Sequence, residues 1–220
     1  MRILHSKKLI FISKPRCGST SIRLFIDSIM LPGDEKCDHG NQYPEMPILH
    51  PHMSAPAVAH YLNSKGIDIG EYQVFTITRN PIDMLWSYYN YFKPDINSNY
   101  NYSPKYKSAQ LADFEYWLEH GQVGIGLWRK YCPDYITDTN FTPLSLEAHA
   151  NNNKNNNLIN KVFKLEELSD CRIWLEEYLG MNVDIGSHNG SKSTQIPVVS
   201  PDTLRKLKQN FKLESSLYNL

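Results

Sequence analysis

Two short segments far apart in the chain each place a tight turn directly behind an apolar run and directly ahead of a helix-forming stretch. The first is Lys14-Pro15-Arg16-Cys17-Gly18-Ser19-Thr20-Ser21, behind Leu9-Ile10-Phe11-Ile12. The second is Arg79-Asn80-Pro81-Ile82-Asp83, behind Val74-Phe75-Thr76-Ile77-Thr78 and ahead of Trp86-Ser87-Tyr88-Tyr89. Short apolar runs rich in β-branched and aromatic residues read as buried strands. A strand that turns straight into a helix crowds backbone N–H groups and hydroxyls at the helix N-terminus, where phosphate is favoured. One such loop is common; two predict a ligand with phosphate groups at both ends.

The rest of the chain fits an α/β core around these loops. A helix is predicted over about 19–30, with Ile22, Phe25, Ile26 and Ile29 at helical spacing, ended by Pro32-Gly33-Asp34. Met46–Leu49 suggests a short strand. Ser54 reads as an N-cap, with Pro56 in the first turn of a helix that runs to Lys65-Gly66. Asn80 caps a helix from Pro81 to about Phe92, and Asp83 reads as part of that cap. A polar loop over 93–107, a helix over about 111–119 and an Asn-rich loop within 149–157 follow. A strand over 161–165 then leads into a helix over 166–179 stopped by Gly180, a polar loop over 188–194 and a last helix from Pro201. Strands alternating with helices predict a three-layer, P-loop-like fold: a central parallel sheet with helices on both faces. Ligands of such sheets sit at the carboxyl ends of the strands, where Arg16, Arg79, His50 and His52 fall.

Composition limits the function classes. A chain of 220 residues, 41% hydrophobic and 12% aromatic, predicts one globular domain spanning 1–220. Formal net charge is zero, which gives no argument for nucleic acid or a membrane surface as partner. Residues 1–30 nevertheless hold Arg2, Lys7, Lys8, Lys14, Arg16 and Arg23 against Asp27 alone, which suits an anionic ligand near the first loop. Cys17, Cys37, Cys132 and Cys171 show neither CxxC nor metal-ligand spacing and read as free thiols of a reducing compartment. Cys17 is either a reactive thiol at a helix N-terminus or a small residue that fits the loop. No signal peptide or long apolar stretch is present, so the expectation is a soluble, cytoplasmic protein.

The first loop does not spell a nucleoside-triphosphate site. A Walker loop needs Gly-x-x-x-x-Gly-Lys-Ser/Thr, whereas here Gly18 is the only loop glycine and no Lys follows it. The pattern Arg16-x-Gly18-Ser19-Thr20 after one strand, with Arg79 and Ser87 eight apart after another, resembles the sulfotransferases that use 3′-phosphoadenosine-5′-phosphosulfate. The stretch Phe163-Lys164-Leu165-Glu166-Glu167-Leu168, the loop His188–Thr194 and the ending Leu217-Tyr218 are also similar to that family, so the resemblance spans about residues 8–219. It implies donor contacts from Lys14, Arg16, Cys17, Gly18, Ser19, Thr20, Ser21, Arg79, Ser87, Ser191 and Lys192. Arg16 stands where many members carry Lys, and would meet the bridging oxygen and the 5′-phosphate. Arg79 would fork onto the 3′-phosphate with Ser87 adding a donor.

For the acceptor side, His50-Pro51-His52-Met53-Ser54 lies between the two loops. A neutral imidazole, with a reference pKa of about 6.5, can take a proton from an attacking hydroxyl. The arrangement is similar to that of hexuronic-acid 2-O-sulfotransferases and implies His52 as base, His50 as an assisting or acceptor-binding residue and a glycan as acceptor. A metal-binding His-x-His pair, a helix-capping role, and a carboxylate base at Glu35 or Glu45 remain alternatives. The implied chemistry is in-line sulfuryl transfer, leaving adenosine 3′,5′-bisphosphate and demanding no metal. Rival classes are a P-loop kinase and a non-catalytic nucleotide- or glycan-binding relative.

Overall fold

The computed structural model describes residues 1–38, 51–92, 114–116, 118, 144–151, 157–186 and 195–220. Its strands are β1 (Arg2–Leu4), β2 (Leu9–Ile12), β3 (Glu35–Lys36), β4 (Gln73–Thr78) and β5 (Lys161–Lys164). Its labelled helices are α1 (Ser19–Ser28), α2 (Ala55–Ser64), α3 (Pro81–Phe92), α4 (Leu146–Ala150), α5 (Leu168–Leu179), α6 (Pro201–Asn210) and α7 (Lys212–Leu217), with a further short helical stretch at Phe114–Tyr116. The five strands form one sheet in the order β3-β1-β2-β4-β5.

The centre of the sheet is parallel, as expected. Phe11 stands opposite Phe75 and Thr78 opposite Lys164, so β2, β4 and β5 all run one way. An antiparallel edge is added to it: β1 pairs with β2, and β3 pairs with β1. Three residues of β1 are too few to show an alternation, so this hairpin leaves no periodic trace in the sequence. A tight turn closes it, with Lys8 in the left-handed region at φ 50°.

Both faces of the central strands are buried, which is why β2 reads as an unbroken apolar run. Leu9 and Phe11 of β2, with Phe75 and Ile77 of β4, pack under Ile22, Phe25 and Ile26 of α1 and Met84, Leu85 and Tyr88 of α3. Ile10 and Ile12 point to the other face, where they meet Val58 and Leu62 of α2 and Leu146 of α4. Phe75, Trp174 and Tyr178 continue the first layer as an aromatic row, with centroids 5.2 and 5.5 Å apart. Trp86 packs on Tyr89 and Phe114; these rings are core, as an aromatic stripe at helical spacing predicts.

The helix starts follow local chemistry. Ser54 Oγ accepts the Ala57 N–H at 3.4 Å, and Asn80 Oδ1 accepts the Ile82 N–H at 3.0 Å. Gly180, at φ 64°, ends α5. Two boundaries differ from expectation. A 3-10 turn over Leu165–Glu167 precedes α5, and the expected single last helix is broken at Phe211 into α6 and α7. The expected strand at 46–49 and the polar loops at 93–107 and 188–194 lie outside the described residues, as does most of the helix over 111–119. No helix among the described residues is long and apolar enough to cross a membrane.

Candidate functional site

The register of β2, β4 and β5 brings three strand ends to one edge of the fold: Ser13 after β2, Arg79 after β4 and Leu165 after β5. Thr76 Oγ1 donates to Ile12 O at 2.7 Å and ties the first two together at their exits. Both phosphate-type loops therefore leave neighbouring parallel strands side by side.

In the first loop, Arg16 takes a left-handed backbone conformation at φ 58°, and so does Gly18 at φ 68°. For a non-glycine residue that conformation costs about 1–2 kcal/mol and persists only where the surroundings hold it. Gly18 is also the N-cap of α1, and no side chain caps the helix. The first N–H groups of α1 thus keep their affinity for an external anion. Ser19 and Ser21 are buried and Thr20 is half-buried. The expectation for Gly18 was close approach to phosphate; the structure gives its missing side chain a second reason. A Cβ there would lie 2.3 Å from Leu165 Cδ1, so the loop sits directly on the β5 exit. Gly18→Ala should lower stability by about 1–2 kcal/mol from the backbone alone, since the half-buried Leu165 side chain can give way. A lower urea midpoint at unchanged m is the expected result; an unchanged midpoint would mean the loop has no such constraint.

Arg16 reaches across to the second motif. Its Nε and Nη2 donate to Ser87 Oγ of α3 at 3.1 and 3.0 Å. The two residues expected at opposite ends of the ligand are in direct contact, so the loops form a single site rather than two. Arg79, half-buried at the end of β4, has a buried Nε with no hydrogen-bond partner among the described residues, and Thr78 Oγ1 is in the same condition. An orphaned guanidinium N–H is costly unless an acceptor arrives, which is the condition an absent anion would satisfy. Burial pushes the neighbouring Asp83 carboxyl up, against the pull of Arg79 and with Glu166 adding to the rise.

His52 stands against the first loop. Its Nδ1 donates to Ser13 O at 2.7 Å, with Ser13 Oγ 3.5 Å away. A ring nitrogen at that distance from a carbonyl carries the proton, which makes Nε2 the basic nitrogen. The backbone of the first loop therefore sets the tautomer of His52. The alternative base Glu35 is engaged by other partners. It lies on edge strand β3, where it binds His5, Tyr61 and Lys65. Burial alone would push its carboxyl up, but the bonds from Tyr61, Lys65 and His5 outweigh that and hold it below the usual carboxylate range. Glu45, His50, Ser191 and Lys192 lie outside the described residues.

Two expectations are corrected and one open alternative is narrowed. Lys14 is not an open phosphate ligand: its ammonium is fully buried, 2.5 Å from Glu214 Oε1 and 2.9 Å from Leu144 O. The side chain of Cys17 is core, and burial pushes its thiol up to about 12, which removes the reactive-thiol reading and leaves only its backbone to meet a ligand. Part of the basic surplus of residues 1–30 is neutralised from beyond that segment, by Asp38, Glu71 and Glu214. Arg2 is buried between Asp27 and Asp38, and Lys8 pairs with Glu71. Cys17, Cys37 and Cys171 are free thiols, while Cys132 is not among the described residues.

Glu214 carried no signal in the sequence, and Tyr218 entered only through the family-like ending Leu217-Tyr218. Glu214, in α7, meets Lys14 from 200 residues away. Tyr218, just past α7, places its Oη 2.6 Å from Glu166 Oε2 and 3.3 Å from Thr78 O, closing over the β4 exit. Beside α1, a groove of about 390 Å3 begins at Ser21 and runs past Phe25 and Ile29 against Met181, Asn182 and Asp184.

No family model matches the chain, and no curated protein matches it. Among solved structures the chain is similar to mouse sulfotransferase SULT7A1 complexed with PAP. The identity is 14%, the alignment covers 99% of this chain and 83% of that one, and the TM-score is 0.38. A likeness at that level carries no argument by itself, and the functional reading stands on the residues of the site.

Proposed function

We propose that this chain transfers a sulfuryl group from 3′-phosphoadenosine-5′-phosphosulfate to a hydroxyl of an acceptor, and that the acceptor is a hexuronic-acid glycan. The observation that carries the reading is the convergence of His52, Arg16 and Ser87 at the exits of two adjacent parallel strands, with His52 Nδ1 held by the donor loop's own Ser13 carbonyl. The residues fit the donor on two counts: an α1 N-terminus with no side-chain cap, and a buried Arg79 Nε without a hydrogen-bond partner among the described residues.

The donor, when bound, supplies an electrophilic sulfur attached to a phosphate leaving group. Each protein group then has one task. His52 Nε2 takes the proton of the acceptor hydroxyl. The Arg16 guanidinium and the first N–H groups of α1 hold anionic oxygens at the 5′ end, where charge develops. Arg79 holds the 3′-phosphate through charge-assisted bonds. The acceptor class rests on the His50-Pro51-His52-Met53-Ser54 spelling and on no contact of the structure.

A kinase reading has less support. The loop's only lysine is Lys14, whose ammonium is committed to Glu214, so no loop lysine remains to reach a β- or γ-phosphate. The test compares thermal midpoints with adenosine 3′,5′-bisphosphate alone and with ATP plus magnesium. Bisphosphate at about 100–1,000 times its Kd should stabilise by about 2.7–4.1 kcal/mol, a rise of roughly 5–15 °C for a chain of this size. No rise at millimolar bisphosphate sinks the donor assignment, and a rise with ATP-magnesium alone transfers the reading to the kinase class. Transfer to desulfated heparin, against a simple phenol, tests the acceptor class.

A further inference from the structure

We propose that Glu214 is a positioning residue for the donor loop: by gripping Lys14 it holds Arg16 in the left-handed conformation from which its guanidinium serves the reaction. The proposal rests on the sulfuryl-transfer reading above.

The grip is fully buried. Glu214 Oε1 accepts from Lys14 Nζ at 2.5 Å and from the Leu146 N–H at 2.7 Å, and both side chains of the ion pair have no exposed area. Lys14 Nζ donates again to Leu144 O at 2.9 Å. The attachment is reciprocal, because Glu147 Oε1 of α4 accepts the Leu213 N–H of α7 at 2.6 Å. Burial, with the Lys14 charge next, holds the adjacent His149 neutral at about 3, and its Nδ1 lies 3.0 Å from Ser145 O. Stability does not require such a pair. Two apolar side chains of the same volume hold a helix to a sheet as well or better, because burying two charges costs more than their attraction commonly returns. What the pair adds is direction, since it ties the Lys14 side chain to two fixed acceptors.

That direction is transmitted over a very short lever. Only Pro15 separates Lys14 from Arg16, and its ring removes φ as a free rotation. An anchored Lys14 therefore limits where the Arg16 backbone can sit. Arg16 is the residue that needs the help, since it holds φ 58° without being glycine. Its guanidinium is held from the far side by Ser87. Lys14–Glu214 and Ser87 thus clamp the strained residue from its two ends, one by backbone and one by side chain.

The test replaces the charges and keeps the volume: Lys14→Met with Glu214→Leu in one chain, assayed with the donor on desulfated heparin or, if the wild type prefers it, a simple phenol. The expected result is a thermal midpoint near wild type and kcat lower by about 10–100-fold, with a smaller loss of adenosine 3′,5′-bisphosphate affinity because Arg79 and the α1 N-terminus still hold the ligand. The decisive arm repeats the pair of changes in an Arg16→Ala background, where they should cost nothing further, because the residue they position is gone. Wild-type kcat in the double variant overturns the proposal, as does an equal loss of rate with and without Arg16. Should the double variant fail to fold, amide exchange on the wild type replaces it. Bound bisphosphate should then slow exchange at the Leu146 and Leu213 N–H groups, which bond to Glu214 and Glu147. Unchanged exchange at both, in a protein whose thermal midpoint shows the bisphosphate bound, overturns the proposal and leaves the sulfuryl-transfer reading standing. A wild type that neither binds bisphosphate nor transfers ends that reading first, and the proposal with it.

Discussion

His52→Ala should lower transfer to the acceptor by roughly 10²–10⁴-fold, the usual worth of a general base, while adenosine 3′,5′-bisphosphate binds as it does to the wild type. The split between rate and donor binding follows from geometry. The bond from His52 Nδ1 to the Ser13 carbonyl orients the ring, and it is not part of the anion-holding set of Arg16, Arg79 and the α1 N-terminus. Removing the ring removes the base and leaves those groups in place. His52→Gln should not rescue the rate, because an amide cannot take the proton. In the wild type kcat should fall in acid as the imidazole is protonated, since an imidazolium has no lone pair to accept with. Stability must be followed alongside. His149 is held by burial at about 3 in the folded chain, against about 6.5 unfolded. The unfolded state therefore binds more protons below pH 6.5, and stability from this group is lost as pH falls from there towards 3. The His52 effect is the part of the acid loss seen while the thermal midpoint still lies well above the assay temperature. A His52→Ala enzyme with near-wild-type turnover would sink the assignment, and Glu45, which precedes His52, would be the next residue to replace.

What could be read from the sequence here was local. The starts of α2 and α3 were legible because Ser54 and Asn80 cap their own helices within three residues, and the end of α5 because Gly180 supplies the left-handed turn. The strands β2 and β4 were legible as apolar runs, and the two loops followed as the turns between strand and helix. What stayed hidden was every pairing made across the chain. Lys14 looked like a phosphate ligand because it stands in a phosphate-type loop, and no spacing rule connects it with Glu214. Gly18 looked like a residue yielding space to a ligand, yet Leu165 fills that space from β5. Arg2 and Lys8 of the basic first 30 residues looked available to an anion because their partners Asp38 and Glu71 lie beyond that segment. In each case the residue type was read correctly as charged or small, and its partner was decided by which strands lie side by side. Sheet order is a global property, set by burial of both faces, and one short antiparallel hairpin was enough to change its edge.

Arg79→Ala should weaken binding of adenosine 3′,5′-bisphosphate by about 100-fold, and Ser87→Ala by only about fivefold. The difference follows from what each residue offers. Arg79 brings a full charge and a fork of donors, and its Nε is already stripped of water without a partner among the described residues. Its desolvation is therefore spent before the ligand arrives, and two charge-assisted bonds to a phosphate, at about 1.5 kcal/mol each, add to about 3 kcal/mol. Ser87 offers one neutral hydroxyl worth about 1 kcal/mol, and that hydroxyl already accepts from Arg16 Nε and Nη2. Losing it should disturb the placement of Arg16 more than the capture of the donor, so Ser87→Ala should show a larger loss in kcat than in donor affinity. Arg79→Lys should recover little, because an ammonium is a point charge and cannot reproduce the fork. Calorimetric titration of the three variants at one fixed salt concentration decides the matter. Wild-type affinity in both alanine variants would mean that the loop after β4 does not hold the 3′-phosphate. A Ser87→Ala affinity loss as large as that of Arg79→Ala would instead place the main anchor at the Arg16–Ser87 contact, with Arg79 reduced to a structural charge near Asp83.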